Sequence, residues 1–314
     1  MTAKTIEVGY PTPRFDARSK VTGEEKYAAD LYPENLLWIG VKRANAAHGT
    51  IRGIDTSAAR KVPGVFAVLT HRDITGTNRQ GIVHKDQPVL ADVKVRHCGD
   101  PVALVLAESR ESLREALRLV SVDMDALPAV FDPEEALLPE APLVHDSGNL
   151  LLKAVVSTGN APDAFKDCDI VVEDSFETAG QEHAFLETEN GVARREPDGR
   201  IVMTVSSQAP FRDRFEIAHA LGIQPDAIRI DSPYLGGGFG GKDGATVQCF
   251  LALAAMHSGG RPVKMWWDRE ESFVAGYKRH PVRMRYRLGA MRDGTLRALH
   301  CSLYYNTGAY AHLG

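Results

Sequence analysis

Short apolar runs alternate with helical periodicity through the first half of the chain. The runs predict buried strands at 37–41, 65–69, 101–106 and 120–124. After the third run, Ser109 is a helix-capping residue, and the apolar residues that follow it recur on one helical face. This alternation predicts a small α/β domain, which we assign, with an N-terminal extension, to residues 1–135.

The second half begins after a stretch of different composition. Residues 136–162 are rich in proline, alanine and acidic side chains, which is typical of an interdomain linker. Residues 163–314 then form a second region, with predicted strands at 169–173, 191–195, 201–206, 227–231 and 263–267. Alternating apolar positions on both sides of Asp293-Gly294 predict a closing β-hairpin.

Two helices are predicted in this second region. Within 211–221, the apolar spacing places Phe211, Phe215, Ala218 and Leu221 on one helical face, and Gly222 stands where a helix-ending glycine belongs. Segment 245–257 is apolar nearly all round, which predicts a helix buried inside a larger assembly.

Composition and charge exclude several functional classes. The 314 residues include 41 acidic and 37 basic side chains, a net charge of −4, which gives no general attraction to nucleic acid or to a membrane surface. The N-terminal sequence lacks an apolar export segment, and no apolar run approaches the roughly 18 residues that span a bilayer, so we expect a cytoplasmic protein. Four cysteines at irregular spacing predict free thiols and neither a zinc nor an iron–sulfur site.

The most distinctive segment is a glycine loop. Five of the six residues from Gly236 to Gly241 are glycines, and Phe239 is the exception. Glycines at this density serve backbone shape, because they allow positive φ and can turn consecutive N–H groups toward one anion. A helix predicted directly after the loop would add its positive N-terminal end. The pattern therefore favours a loop that binds an anion or an oxo group over a loop that only makes a tight turn.

One nucleotide-binding pattern is matched only in part. Gly236, Gly238 and Gly241 satisfy the dinucleotide pattern GxGxxG, but a run of glycines satisfies it trivially. The acid that should follow about 20 residues later is misplaced. The nearest candidate at a strand end, Asp268, lies 27 residues after Gly241.

The phosphate-loop pattern GxxxxGK[ST] is also nearly met. It runs from Gly236 to Lys242 but fails at the last position, where Asp243 replaces the hydroxyl that should hold magnesium. A carboxylate at that position repels phosphate. A phosphate-loop nucleotide-binding protein is kept as one alternative.

The loop resembles the GGGFGGK loop of the xanthine dehydrogenase/aldehyde oxidase family, in which the residue matching Phe239 lies near a molybdenum centre. Gln208, 31 residues before Phe239, matches the glutamine that the family places at that centre. Further segments resemble the family in the same order over residues 14–314: KVTG at 20–23, KYAAD at 26–30, DQPVLA at 86–91, GDPVA at 99–103, QEHAFLE at 181–187, RPVK at 261–264, DREE at 268–271 and RHP at 279–281. Each motif is short, and the ordered series makes the resemblance specific.

The resemblance implies an α+β fold, in which a small α/β hammerhead domain precedes the first half of a molybdopterin-binding domain at 163–314. It implies a molybdenum–pyranopterin cofactor, in the cytosine dinucleotide form, shared with a partner chain. Two [2Fe–2S] clusters and FAD are expected on other subunits. The implied reaction is hydroxylation of a small-molecule substrate, an aldehyde or an N-heteroaromatic compound, with water as the source of oxygen.

The resemblance also implies roles for particular residues. The residues expected beside the cofactor are Gln208, Gly237, Gly238, Phe239 and Gly240, with Gln208 and Phe239 near molybdenum without ligating it. The glycines would let the backbone approach a bulky cofactor, and the Phe239 and Gly240 N–H groups with the Gln208 amide would stabilise its oxo ligand.

Asp243 occupies the position of a family glutamate that contacts substrate. It is therefore a candidate substrate contact, and the plainer interpretation is a carboxylate at a helix N-terminus. Glu182 is expected to form a structural ion pair or hydrogen bond.

The family's catalytic glutamate has no equivalent in these 314 residues, so no catalytic residue is expected in this chain. We expect that glutamate on a second fragment of the molybdopterin subunit, in a multi-subunit complex whose large subunit is split. A non-catalytic scaffold remnant is the remaining alternative.

Overall fold

The structure, a computed structural model, describes Gly9 and residues 11–312. The strands in these residues are β1 (Leu37–Arg43), β2 (Gly49–Asp55), β3 (Val65–Leu69), β4 (Arg79–Gln80), β5 (Gln87–Pro88), β6 (Lys94–Val95), β7 (Pro101–Ala107), β8 (Ser121–Ala126), β9 (Ile170–Thr178), β10 (Gln181–Glu182), β11 (Asn190–Arg195), β12 (Ile201–Val205), β13 (Ile228–Asp231), β14 (Val263–Trp266), β15 (Lys278–Arg279), β16 (Val282–Ala290) and β17 (Leu296–Tyr305). The α-helices are α1 (Ala17–Thr22), α2 (Arg110–Leu119), α3 (Ala161–Ala164), α4 (Pro210–Leu221), α5 (Gln248–His257) and α6 (Arg269–Ala275). None of these helices is long and apolar enough to cross a membrane.

A seven-stranded sheet runs through both halves of the chain, in the order β13-β12-β11-β14-β1-β7-β3. The join is a parallel pairing of β1 with β14, in which Leu37 lies opposite Val263. The main core follows the same continuity, because Leu104 from the first half and Leu251 from the second belong to one buried cluster. The strands of the first and second halves of the chain therefore share one sheet and one core.

Two smaller layers complete the first half. Helix α2 packs against β1 and β7, and its cap forms as predicted, with the Ser109 hydroxyl accepting a hydrogen bond from the Ser112 N–H. Strands β6, β2 and β8 form a separate three-stranded sheet. Residues 138–160 contain neither helix nor strand. The mixed arrangement confirms the α+β fold class.

Helix α5 is buried as predicted, but not by a larger assembly. Its residues from Gln248 to Ala255 are all buried within this chain, where the helix packs against β11, β12, β14 and α4. The expectation that another polypeptide must cover it was wrong. A sheet on one side and a second helix on the other bury an all-apolar helix as well as another polypeptide would.

Helix α4 buries only part of the apolar face that the sequence spacing predicts, namely Ala218 and Leu221. Phe211 is 78% and Phe215 is 54% exposed, whereas Asp213, Ile217 and Ala220 are buried. The apolar spacing was wrong for the two phenylalanines, because a hydrogen-bonded carboxyl group, that of Asp213, occupies the core position at the start of the helix. The predicted end is correct, since Gly222 adopts φ +72° and donates its N–H to the Ala218 carbonyl.

The predicted closing hairpin is present as β16 and β17, with Gly294 at φ +90° in its turn. Strand β9 pairs with the other edge of β16, which makes a three-stranded sheet. One face of this sheet is apolar and remains accessible in the part of the chain that the structure describes. Its exposed side chains include Ile170, Val172, Phe176, Leu288, Leu299 and Leu303.

Candidate functional site

The glycine loop, residues 236–241, lies on a segment between β10 and β11 whose alternate side chains face it. A Cβ atom added to three of the glycines would come within 3 Å of these side chains: Gly236 at 2.4 Å from Glu187 Cβ, Gly237 at 2.9 Å from Phe185 Cβ and Gly241 at 2.7 Å from His183 Nδ1. These glycines are therefore required by the packing of the loop on its own chain.

The apex of the loop is Phe239. Its φ of +50° lies in the left-handed region that non-glycine residues seldom adopt, and its side chain is 76% exposed. The N–H groups of Gly237, Gly238 and Phe239 donate to no acceptor among the described residues. Strained backbone with unpartnered donors is typical of a functional segment.

Gln208 closes one side of the loop. It precedes α4 by two residues, and its Oε1 accepts hydrogen bonds from the N–H groups of Gly240 (3.1 Å) and Lys242 (3.2 Å). Its own N–H donates to the Lys242 carbonyl over 3.0 Å. Two donors at Oε1 fix the amide orientation, so Nε2 points away from them and has no partner among the described residues. The structure thus brings Gln208 and the loop together.

One predicted donor is not available. The Gly240 N–H is already bonded to Gln208, so it does not face outward as the sequence interpretation required. The available donors are the Gln208 Nε2 and the N–H groups at 237–239.

Asp243 is not at a helix N-terminus. Helix α5 begins five residues later at Gln248, so the predicted helix directly after the loop is displaced along the chain. The Asp243 carboxylate instead pairs with Arg212 on α4, over 2.5 Å between Oδ1 and Nη2, and the Arg212 guanidinium also donates to the Asp243 carbonyl. Sequence analysis did not identify Arg212, because nothing local links two residues 31 positions apart.

Lys242 has no exposed surface and faces inward. Its Nζ donates to the Glu187 carbonyl over 2.5 Å and to Ser206 Oγ over 2.7 Å. Burial lowers its pKa, and its ammonium lies 4.4 Å from the centroid of the Phe185 ring. A phosphate-loop lysine must reach outward to its ligand. The phosphate-loop alternative is therefore wrong for this loop.

A buried polar cluster supports the chain after the loop. Asp213 accepts hydrogen bonds from Ser207 Oγ (2.6 Å) and Gln248 Nε2 (2.8 Å), and burial raises its pKa to about 6. Nearby, Tyr277 contacts His312, whose pKa is lowered to about 4 by burial. Sequence analysis missed this cluster, because its members come from four distant segments.

Two further side chains near the loop, Glu182 and His183, have structural contacts. Glu182 forms an ion pair with Lys278 over 2.5 Å, as expected, and His183 stacks on Phe185. Among the residues that the structure describes, no group of three His, Cys, Asp or Glu side chains could hold a metal ion.

Comparison with known families covers nearly all of the chain. Residues 22–128 match the aldehyde oxidase and xanthine dehydrogenase a/b hammerhead domain, and residues 144–314 match the molybdopterin cofactor-binding domain. The chain belongs to the xanthine dehydrogenase/aldehyde oxidase family of molybdopterin-binding subunits.

Individual relatives agree with this assignment. The chain is 43% identical to a probable xanthine dehydrogenase subunit of Bacillus subtilis, over 96% of this chain and 40% of the relative. It is 40% identical to the nicotinate dehydrogenase large molybdopterin subunit of Eubacterium barkeri, over 96% of this chain and 71% of the relative. The solved structure of aldehyde oxidoreductase from Desulfovibrio gigas superimposes with a TM-score of 0.88 at 33% identity, over 93% of this chain and 34% of that one. The chain thus spans only part of the length of these relatives.

Proposed function

We propose that this chain supplies the hammerhead domain and one wall of the cofactor site of a molybdenum hydroxylase. The complete enzyme would oxidise an aldehyde or an N-heteroaromatic compound, with water as the source of oxygen, and pass electrons to iron–sulfur and FAD partners. The relatives support this reaction class, because their names include xanthine dehydrogenase, nicotinate dehydrogenase and aldehyde oxidoreductase.

One observation carries the proposal. Gln208 uses its oxygen to hold the loop, and neither its Nε2 donor nor the Phe239 N–H has a partner among the described residues. Neutral hydrogen-bond donors suit an oxo-bearing metal group, whose negative charge grows on reduction, because they stabilise that charge without themselves acting as bases. The residues present therefore fit a molybdenum–pyranopterin cofactor, and its cytosine dinucleotide form is part of the proposal.

When bound, such a cofactor accepts two electrons from the substrate carbon. In this proposal, Gln208 and Phe239 donate hydrogen bonds toward the metal centre without ligating it, and Gly237, Gly238 and Gly240 shape the backbone that presents these donors. Asp243, paired with Arg212 beside the loop, contacts the substrate. The proton-abstracting glutamate would come from polypeptide outside these 314 residues.

Partner polypeptides are part of the same proposal. We assign a second molybdopterin-subunit fragment, a [2Fe–2S] subunit and an FAD subunit. The exposed apolar face of the β9–β16–β17 sheet supports the first of these, because contiguous apolar surface of this kind marks an interaction site. A cytoplasmic location also belongs to the proposal, and the four cysteines, all described and all free thiols, agree with a reducing compartment.

The test is native purification of the tagged chain from its own host, followed by metal analysis and partner identification on one sample. The proposal expects molybdenum and iron with a second large-subunit fragment and with iron–sulfur and flavin subunits. A metal-free chain that purifies alone would favour the scaffold remnant and overturn the enzyme assignment. A matched sample carrying Gln208→Glu should lose molybdenum or turnover, whereas Gln224→Glu, the same change at an exposed glutamine far from the loop, should retain both.

A further inference from the structure

Both ends of the glycine loop are hydrogen-bonded to one residue, Glu187. At the first end, the Gly236 N–H donates to Glu187 Oε2 over 2.7 Å, and the Glu187 N–H donates to the Gly236 carbonyl over 3.1 Å. At the other end, Lys242 Nζ donates to the Glu187 carbonyl over 2.5 Å. The residues on either side of 237–241 therefore converge on Glu187, which precedes Lys242 by 55 positions.

A hydroxyl completes the connection. Ser206 Oγ donates to Glu187 Oε2 over 3.0 Å and accepts from Lys242 Nζ over 2.7 Å. The Lys242 ammonium lies 3.6 Å from Glu187 Oε2, and the two side chains are 0% and 8% exposed. Removing one partner of an ion pair buried to this degree strongly destabilises the protein, because the other charge is left buried and uncompensated. The Lys242 backbone is held separately, by Gln208.

A loop of five glycines has no preferred shape of its own. Glycine loses more conformational freedom on ordering than any other residue. A site that presents donors in a fixed direction needs supporting residues that are themselves held by packing and hydrogen bonds. Within the described residues, the anchors at Gly236 and Lys242 meet that need, because both are buried or half-buried and both end on Glu187.

We propose that Glu187 and Lys242 are positioning residues whose buried pair sets the shape of the loop at 237–241. Through that shape, the pair determines the direction in which the Phe239 N–H and the Gln208 amide face the cofactor. The cofactor part of this inference rests on the proposed function, whereas the loop part does not. Lys242 thereby acts on the loop from inside the protein and makes no contact with a bound anion.

Hydrogen exchange of the full chain tests the loop part directly. Lys242→Met removes the ammonium at nearly constant length, and we expect amide exchange at 236–242 to rise about tenfold while the β16–β17 hairpin is unchanged. Ser206→Ala removes the bridging hydroxyl, and we expect a smaller rise in amide exchange of the loop, about threefold. The matched control is Lys264→Met, because Lys264 is also fully buried and donates to the Ala29 and Leu31 carbonyls, away from the loop.

The outcomes separate cleanly. Loop exchange that stays unchanged in Lys242→Met, or that rises equally in Lys264→Met, overturns the positioning role. If Lys242→Met does not fold, the loop exchange of Ser206→Ala is compared with wild type in the same way, and no rise overturns the positioning role.

The purified wild-type and Ser206→Ala complexes are then compared by the electron paramagnetic resonance spectrum of molybdenum. A spectral shift at equal metal content supports action on the centre, and an identical spectrum overturns it. A wild-type complex without molybdenum contradicts the proposed function and leaves the loop result standing.

Discussion

Arg212 on α4 and Asp243 after the glycine loop form an ion pair with 2.5 Å between Nη2 and Oδ1. The pair links the helix that follows Gln208 to the chain that leaves the loop. The ion pair also engages the Asp243 carboxylate, which we propose as a substrate contact. Both side chains are more than one third exposed, so solvent screening limits its contribution to stability.

Asp243→Asn should therefore separate binding from folding. We expect the unfolding free energy to change by less than about 1 kcal/mol, because exposed ion pairs contribute little. If Asp243 contacts substrate, KM should rise while molybdenum content stays constant. The matched control is Asp231→Asn, which removes a comparably exposed ion pair with Arg229. Equal KM values in the two variants would remove Asp243 from the substrate site.

Gln208→Glu tests the outward-facing donor alone. The variant retains Oε1, which accepts from the Gly240 and Lys242 N–H groups, and replaces Nε2 with an oxygen that repels an oxo ligand. We expect loop hydrogen exchange to stay close to wild type and turnover per molybdenum to fall about 10–100-fold, as for other residues that support a metal centre. Wild-type turnover would show that the Gln208 amide does not face the metal.

Gly238→Ala and Gly240→Ala should fail for different reasons. A Cβ at Gly238 would lie 2.4 Å from Gln208 Oε1, whose position is fixed by two N–H donors. This Cβ would overpack the site, which lowers the unfolding free energy by about 1–3 kcal/mol, and would displace Gln208. At Gly240 the nearest atom is 3.6 Å away, but φ is +96°, so the cost is backbone strain of about 1–2 kcal/mol.

The measurement is turnover per molybdenum in each variant beside its stability. Gly238→Ala should lose activity beyond its loss of stability, and Gly238→Val should abolish it. Gly240→Ala should retain more activity at similar stability. The reverse order would contradict the assignment of Gln208 as the residue that depends on Gly238.

Asp213 and His312 should give opposing pH dependences. The pKa of Asp213 is raised to about 6, so the folded protein holds a proton that the unfolded chain releases, and this stabilisation is lost as pH rises from about 4 to 6. The pKa of His312 is lowered to about 4, so its burial costs stability as pH falls from about 6.5 to 4. Each contribution is on the order of 3 kcal/mol, and the two nearly cancel.

Removing either group should reveal the pH dependence of stability that the other group causes. In Asp213→Asn, the unfolding free energy should rise with pH between about 4 and 6 more steeply than in the wild type, and in His312→Gln it should fall. Denaturant unfolding at several pH values measures both slopes. Parallel curves for all three proteins would show that neither group titrates with the stated shift.

Sequence patterns predicted most of the individual elements. Long apolar runs such as 101–106 and periodic segments such as 211–221 became the strand and the helix expected of them, because burial of those residues requires regular hydrogen-bonded backbone. Gly222 ended its helix because few other residues adopt positive φ without strain. The glycine loop and Gln208 were also recognisable, since their spacing matches that of the family.

Patterns did not predict which residues take the inner face at the start of α4, or which distant residues meet. Phe211 and Phe215 are exposed because hydrogen-bonded Asp213 takes the inner face of α4. Lys242 had the sequence of a phosphate-binding lysine, and its inward direction depends on Glu187, 55 residues earlier.

The amino-acid sequence by itself determined the α+β character of this protein, its glycine loop and its membership of a molybdopterin-binding family. These follow from local periodicity, from backbone freedom at glycines and from motifs in a characteristic order. Only the tertiary structure decided that β1 and β14 join the two halves in one sheet, and that the Gly240 N–H is bonded to Gln208. Those outcomes depend on contacts between segments far apart in the chain, where several pairings satisfy the same local pattern and only packing selects one.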